Sequence, residues 1–410
     1  NMKRYIYAAL PLIIIMGCQS NNNDDNHTTD TKITLGIENT DQYLTYLQNK
    51  RVGLVVNPTS HLSNGEHTID FMLSQGVHVT TLFAPEHGIR GEQEAGEEVE
   101  DGIDVETGLP VISLYGDHKK PTAEDLENVD VLVFDIQDVG VRFYTYISTM
   151  HYVMESVAEN NKEIVILDRP NPNGDYVAGP IMEPEFTSFV GMHPIPVVHG
   201  LTVGELANMI NGERWLSNGI QIPKEDIVVA EMQGYDHSTH YSLPTPPSPN
   251  LQTDNAIQFY PSLGLFEATS ISVGRGSKTP FEVIAFPDPQ LKVNIEFLLD
   301  DTSATWPQRG QYVYGESYQV SQTSPFNFTL QPLYDWYWNM RDMGYASSEI
   351  IDRPEWLSSL LGTDKVLPMI INGVPLEDIE ASWDSNLSSY ENMRTEYLIY
   401  TEQSNKSEGE

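Results

Sequence analysis

VDVLVFDI, residues 129–136, is an almost unbroken apolar run that ends in a carboxylate. A strand with one wet face alternates apolar and polar side chains, whereas a strand covered on both faces reads as continuous Val, Ile, Leu and Phe. The run therefore predicts a strand at the centre of a parallel sheet. Working outward, RVGLVVN at 51–57, residues 77–83, LPVISLY at 109–115 and EIVIL at 163–167 have the same character. Amphipathic helical patterns at 67–75 and 146–160 lie between them. Strands of this kind alternating with helices predict a Rossmann-like, doubly wound α/β domain with a mostly parallel sheet.

The second half is less regular. Residues 203–215 (VGELANMINGERW) predict a helix, 245–250 (TPPSPN) a rigid loop, 281–286 (FEVIAF) a strand, and 376–399 a mainly helical stretch. A second, smaller α+β domain is expected over 189–402, after a first domain over 34–188. The 410 residues are enough for two such units.

The N-terminus has a separate character. Lys3 and Arg4 precede a short apolar stretch and then Ile15-Met16-Gly17-Cys18, with Cys18 the only cysteine of the chain. The apolar stretch is too short for a membrane-spanning helix. The pattern predicts a lipoprotein signal peptide over 1–17 and lipidation of Cys18, followed by a polar, disordered tether over 18–33. Residues 403–410 are expected to form a disordered tail. The expected location is the cell envelope, periplasmic or outer-membrane-attached, with the lipid as the only membrane contact.

Charge narrows the partners. Lys and Arg number 22 against 59 Asp and Glu, a formal net charge of -37. Nucleic acids and anionic membrane surfaces would repel such a chain. An anionic small molecule is still admissible, because a few arginines in a cleft reverse the local field.

In open parallel sheets, ligands bind beyond the carboxyl ends of the strands. The segments that follow the expected strands are Asn57-Pro58-Thr59-Ser60, Ala84-Pro85-Glu86-His87-Gly88, Tyr115-Gly116, Gln137-Asp138-Val139-Gly140-Val141-Arg142 and Asp168-Arg169-Pro170-Asn171. Asparagine and aspartate favour turns on their own account, but the recurrence of arginine and tyrosine at one sheet edge points to a cleft. No G-x-G-x-x-G follows the first strand, and Gly274-Arg275-Gly276-Ser277-Lys278-Thr279 lacks phosphate-loop spacing. There is no G-x-S-x-G elbow. His237 and His240 have no evident third metal ligand. Neither a cofactor nor a metal is expected.

Carboxylate chemistry remains. Glycoside hydrolysis needs an acid to protonate the leaving oxygen and often a second carboxylate as base or nucleophile. Glu86, after an apolar strand and Pro85, is the candidate acid. Asp135, Asp138, Glu92 and Glu267 are candidate partners, although Asp135 and Asp138 equally suit a structural pairing with Arg142. Tyr144 suits either stacking on a sugar or core packing.

At these residues the chain resembles the bacterial exo-β-N-acetylmuramidases. The matching segments include PEHGIRGEQEAG from Pro85, VDVLVFDIQDVGVRFYTYI from Val129, LDRPNPNG from Leu167, PPSPN from Pro246 and YPSLGLFEATSISVGRGSKTPFE from Tyr260. The resemblance covers about 36–400, although the stretch 306–338 departs from the family pattern.

It implies a cleft between a Rossmann-like domain and a smaller one, and release of N-acetylmuramic acid from non-reducing ends of peptidoglycan fragments. Peptidoglycan-derived muramyl sugars would thus be the partners, with Glu86 as general acid. The substrate-binding residues expected are His87, Arg90, Gln137, Arg142, Tyr144, Asp168, Arg169, Asn171, Ser248, Asn250, Glu267 and Arg275. The muramyl lactyl group carries a carboxylate, which suits arginine, so at least one of Arg90, Arg142, Arg169 and Arg275 is expected to bind it. Two other readings compete: a non-catalytic cell-wall sugar-binding lipoprotein, and a hydrolase of a different glycoside.

Overall fold

Every residue of the strand Val131–Asp135 is buried, as the apolar run predicts. Its alternate residues serve two layers. Leu132 and Phe134 pack under the helices Tyr146–Glu159 and Val203–Gly212 on one face. Val131 and Val133 meet Tyr43, Ile69 and Met72 on the other. Each large apolar side chain so buried contributes about 1.5–3 kcal/mol. A computed structural model describes residues 32–86, 88–89, 102–300, 306–320 and 326–401. From Ile33 onward they cluster as one unit.

The strands of the large sheet are β1 (Val52–Val56), β2 (Val79–Ala84), β3 (Gly102–Ile103), β4 (Pro110–Ser113), β5 (Val131–Asp135), β6 (Glu163–Leu167) and β7 (Ile227–Ala230). Their order is β3-β4-β2-β1-β5-β6-β7, and only the edge strand β3 runs antiparallel to its neighbour. From β1 the chain winds one way through β2 to β4, returns to β5 beside β1, and winds the other way to β7. This is the doubly wound arrangement expected. The reversal between β1 and β5 opens a crevice at the carboxyl ends of those strands.

The large sheet draws on chain beyond residue 189, since β7 pairs with β6. A smaller antiparallel sheet has the order β8-β10-β9, from Val283–Phe286, Tyr312–Ser317 and Ile295–Leu298. A separate core joins Val139, Val141 and Phe143 to the helices Asp254–Leu263, Gln331–Asp342 and Pro354–Leu361.

Two helices are shorter than the sequence pattern suggests. The one starting at Val203 ends at Gly212, and Arg214 beyond it takes a positive φ of 58°. A Cβ on Gly212 would lie 2.5 Å from the Tyr397 hydroxyl, so the close approach of the C-terminal segment requires glycine there. The expected helix over 376–399 is two, Leu376–Ala381 and Asp384–Thr395.

Candidate active site

Glu86 leaves the end of β2 in a tight bend, in which the Gly88 N–H donates to the Pro85 carbonyl at 3.1 Å and Gly88 adopts φ 72°. Glycine is the residue suited to that left-handed backbone. The Glu86 side chain is half-buried. Thr145 donates its hydroxyl to Glu86 Oε2 at 3.3 Å. Thr145 occupies the N-cap position of the helix Tyr146–Glu159, yet its side chain makes no cap bond and turns to the carboxylate instead. Tyr115, just past β4, also bonds the Glu86 carboxylate. Burial, with the charge and hydrogen bond of Glu86, pushes the Tyr115 phenol up to about 12, so it stays a donor to the carboxylate.

These groups open onto a cavity of about 90 Å³ lined by Glu86, Tyr144, Thr145, Ser248, Asn250, Tyr260, Arg275 and Phe281, among others. Tyr144 stands edge-on to Tyr146 and Tyr260, at centroid distances of 5.0 and 5.8 Å. Burial raises its phenol well above the usual tyrosine range, so it is neutral at any physiological pH. The Tyr144 hydroxyl is buried beside Ser248 and Tyr146. Among the described residues lining this cavity, Glu86 is the only carboxylate.

Several expected site residues are engaged elsewhere. Asp135 and Arg169 form a buried ion pair behind the cavity, with Nε to Oδ1 at 2.7 Å and Nη2 to Oδ2 at 3.0 Å. Arg169 also donates to the His61 carbonyl at 2.8 Å, and the Ser60 hydroxyl bonds the Asp135 carbonyl. The pair knits the ends of β1, β5 and β6 together. Asp135 is thus paired with Arg169 rather than Arg142.

Arg142 is fully buried and meets backbone oxygens instead of a carboxylate. It donates to the carbonyls of Pro180, Ile195 and Leu360 at 2.9, 2.7 and 2.8 Å. Burial lowers its guanidinium to about 9.

Gln137 donates to the carbonyls of Asp138 and Pro170. Asp138 is buried and accepts from the Gly140 N–H at 2.9 Å. Its other oxygen has no partner among the described residues, and His199 Nε2 lies 3.9 Å from Oδ2. Asp168 is bound by the Thr202 hydroxyl, the Gly204 N–H and the Tyr400 hydroxyl. Burial pushes its carboxyl up to about 7, against those hydrogen bonds. Asn171 bridges the Asn173 N–H and the Leu201 carbonyl. It also fills the space over Gly140, where a Cβ would come within 2.1 Å of its side chain. These residues are scaffolding of the sheet edge. His87, Arg90 and Glu92 lie outside the described residues, as does Cys18.

The cavity thus brings together Glu86, Tyr144, Ser248, Asn250 and Arg275 of the expected set, with Glu267 beside Arg275. Tyr115 stands in the strand-end segment Tyr115-Gly116 read from the sequence, whereas Thr145, Tyr260 and Phe281 were not singled out. Thr145 stands three residues beyond the strand-end segment that closes with Arg142, and that nearness is the signal that could have found it. His237, considered above as a metal ligand, is buried between the Gly174 carbonyl and the Glu205 carboxylate. Chemically, the site presents one carboxyl flanked by a hydroxyl and a phenol, on aromatic walls able to take a sugar face.

Relatives of the chain are found among known proteins over nearly its whole length. The family model described as exo-beta-N-acetylmuramidase NamZ, N-terminal, matches residues 52–255, and its C-terminal counterpart matches 258–400. The chain is 36% identical to the peptidoglycan beta-N-acetylmuramidase NamZ of Bacillus subtilis (strain 168), over 97% of this chain and 100% of that protein. Two crystal structures of DUF1343 family proteins from Bacteroides fragilis NCTC 9343 are similar throughout. One has a TM-score of 0.81 at 38% identity, over 90% of this chain and 99% of the other. The second has a TM-score of 0.78 at 30% identity, over 90% and 100%.

Proposed function

The chain belongs to the exo-β-N-acetylmuramidase family of glycoside hydrolases, and on that premise we propose that it releases N-acetylmuramic acid from the non-reducing ends of peptidoglycan fragments, with Glu86 as the general acid. The observation that carries the reading is Glu86 itself, half-buried at the mouth of an aromatic-walled cavity and held by Thr145. A general acid in this position gives its proton to the leaving glycosidic oxygen as the bond to C1 breaks. Water supplies hydroxyl to C1 and returns a proton to the site, leaving N-acetylmuramic acid and a glycan one sugar shorter. The exo mode of action rests on the family, whose model is described as an exo-beta-N-acetylmuramidase.

The proposal extends to location. The run ahead of Cys18, the sole cysteine, supports a lipid-anchored protein of the cell envelope, where such fragments arise. The test is one assay on two proteins. Wild type should liberate N-acetylmuramic acid from an N-acetylmuramyl-β-1,4-N-acetylglucosamine disaccharide. Glu86→Gln should fold with an unchanged melting temperature and lose at least about 10³-fold in kcat. An unimpaired Glu86→Gln enzyme would sink the assignment of the acid. A wild type inert on the disaccharide would sink the substrate.

A further inference from the structure

Arg275 differs from the chain's other site-edge arginines. Arg142 and Arg169 use their guanidinium groups on backbone carbonyls and on Asp135. Arg275 instead lines the cavity that holds Glu86 and also a neighbouring cavity of about 120 Å³. Its guanidinium lies between two rings, 4.1 Å from the centroid of Trp306 and 5.2 Å from that of Phe281. Glu267 engages only Nη2, at 3.1 and 3.2 Å. Nε and Nη1 are buried with no hydrogen-bond partner among the described residues.

The loop is built to hold this position. The Phe281 N–H donates to the Val273 carbonyl at 2.8 Å and closes the loop. Gly274 turns it with φ 83°. Phe281 is held at φ 61°, a left-handed backbone unusual for an aromatic residue and of the kind concentrated at ligand sites. That conformation is what keeps its ring beside the guanidinium. Buried donors of a cation left unsatisfied are unfavourable, so an acceptor that reaches them binds strongly, and a carboxylate gives the strongest such bonds.

Resting on the function proposed above, we propose that Arg275 is the specificity-determining residue that binds the lactyl carboxylate of the muramyl ring. The lactyl group is carried on O3 of the pyranose, two ring carbons from C1, whose glycosidic bond breaks. Glu86 comes from the large-sheet wall of the cavity and Arg275 from the wall formed by the later half of the chain. A single sugar between them presents C1 to one and O3 to the other. The second cavity, beyond Arg275, leaves room for the lactyl arm. Trp306 and Phe281 hold the guanidinium plane, while Glu267 fixes its Nη2 edge.

The experiment compares the muramyl disaccharide with its lactyl methyl ester, which keeps the shape and removes the charge. Wild type should favour the free acid by about 100-fold in kcat/KM. Arg275→Gln should bring that ratio close to one, mainly through KM on the acid. Arg275→Lys should retain part of it and carries the test if the Gln variant does not fold, with melting temperature reporting folding. A wild type indifferent to esterification, or folded variants that keep the wild-type ratio, would overturn the role of Arg275 while leaving the hydrolase reading intact. A wild type that turns over neither substrate overturns that reading first, and this proposal with it.

Discussion

Arg169 and Asp135 face each other with Nε 2.7 Å from Oδ1, and neither side chain is more than 2% exposed. Both oxygens of Asp135 are occupied, Oδ2 by Arg169 Nη2 and by the Thr68 hydroxyl. The pair lies at the carboxyl end of β5 and just past that of β6, beside the reversal of strand order. Removing one partner strands a buried charge, which costs about 3–5 kcal/mol. Asp135→Asn and Arg169→Gln should therefore lower the urea midpoint sharply. The folded enzyme should keep kcat within about threefold, well short of the 10²–10⁴-fold expected for a lost acid or base. A fully stable Asp135→Asn protein with kcat reduced a thousandfold would instead make Asp135 the second catalytic group.

Tyr115 and Thr145 both hold the Glu86 carboxylate. Tyr115→Phe and Thr145→Val each remove one bond and leave the cavity volume nearly intact. Each should lower kcat by about tenfold with little change in KM, since a neutral partner lost from a charged group costs about 1.5 kcal/mol. The double variant should fall short of the product of the two, because both act on one side chain. An effect confined to KM would mean that these residues bind substrate rather than orient the acid.

Asp168 gives a pH dependence of known sign. Its carboxyl rises from the ordinary 3.8 to about 7 in the folded protein, chiefly through burial. Between those values the folded state holds a proton that the unfolded chain releases. The resulting stability is therefore present in full below about pH 3.8, falls as pH rises through 7, and is absent above it. The difference is on the order of 2–4 kcal/mol. Asp168→Asn should remove it, so the variant-minus-wild-type melting temperature should climb between pH 4.5 and 7.5. A difference that stays flat across that range contradicts the assignment.

Arg142 joins three carbonyls from separate parts of the chain, Pro180, Ile195 and Leu360. Arg142→Met keeps the bulk but leaves those acceptors buried and bare. A loss of about 3–5 kcal/mol in unfolding free energy is expected, with the unfolding of both sheets still cooperative. A near-neutral Arg142→Met would mean that water or a shifted backbone satisfies the carbonyls.

Strands β1, β2, β4, β5 and β6 were legible within two residues at each end, because burial on both faces imposes a continuous apolar run. Strand β7 was not read. Ile227, Val228 and Val229 are only half-buried, and four residues after a proline give too short a pattern. Strand β10 lies in the stretch 306–338 that departs from the family pattern, and only Val313 and Gly315 of its six residues are buried, which leaves a weak apolar signal. Glu86 could be read because its position follows from strand topology alone. The fates of the arginines could not. Arg142, Arg169 and Arg275 all stand in strand-end or loop motifs, and only tertiary structure decides whether each meets a carbonyl, an aspartate or a cavity.

Tyr400 closes the account of the large sheet from the far end of the chain. Its hydroxyl donates to Asp168 and accepts from the Met232 N–H, while its own N–H and that of Ile399 reach Glu205. Asp168 therefore lacks one of its four donors, the others being the Arg169 N–H, the Thr202 hydroxyl and the Gly204 N–H, until residue 400 has been synthesised. A buried carboxylate short of a partner is a poor foundation for the strand that ends beside it. The far end of the chain is thus a late-arriving part of the Asp168 and Glu205 networks. Under the proposed lipid-anchored location, a chain threaded across a membrane before it folds would gain from that delay.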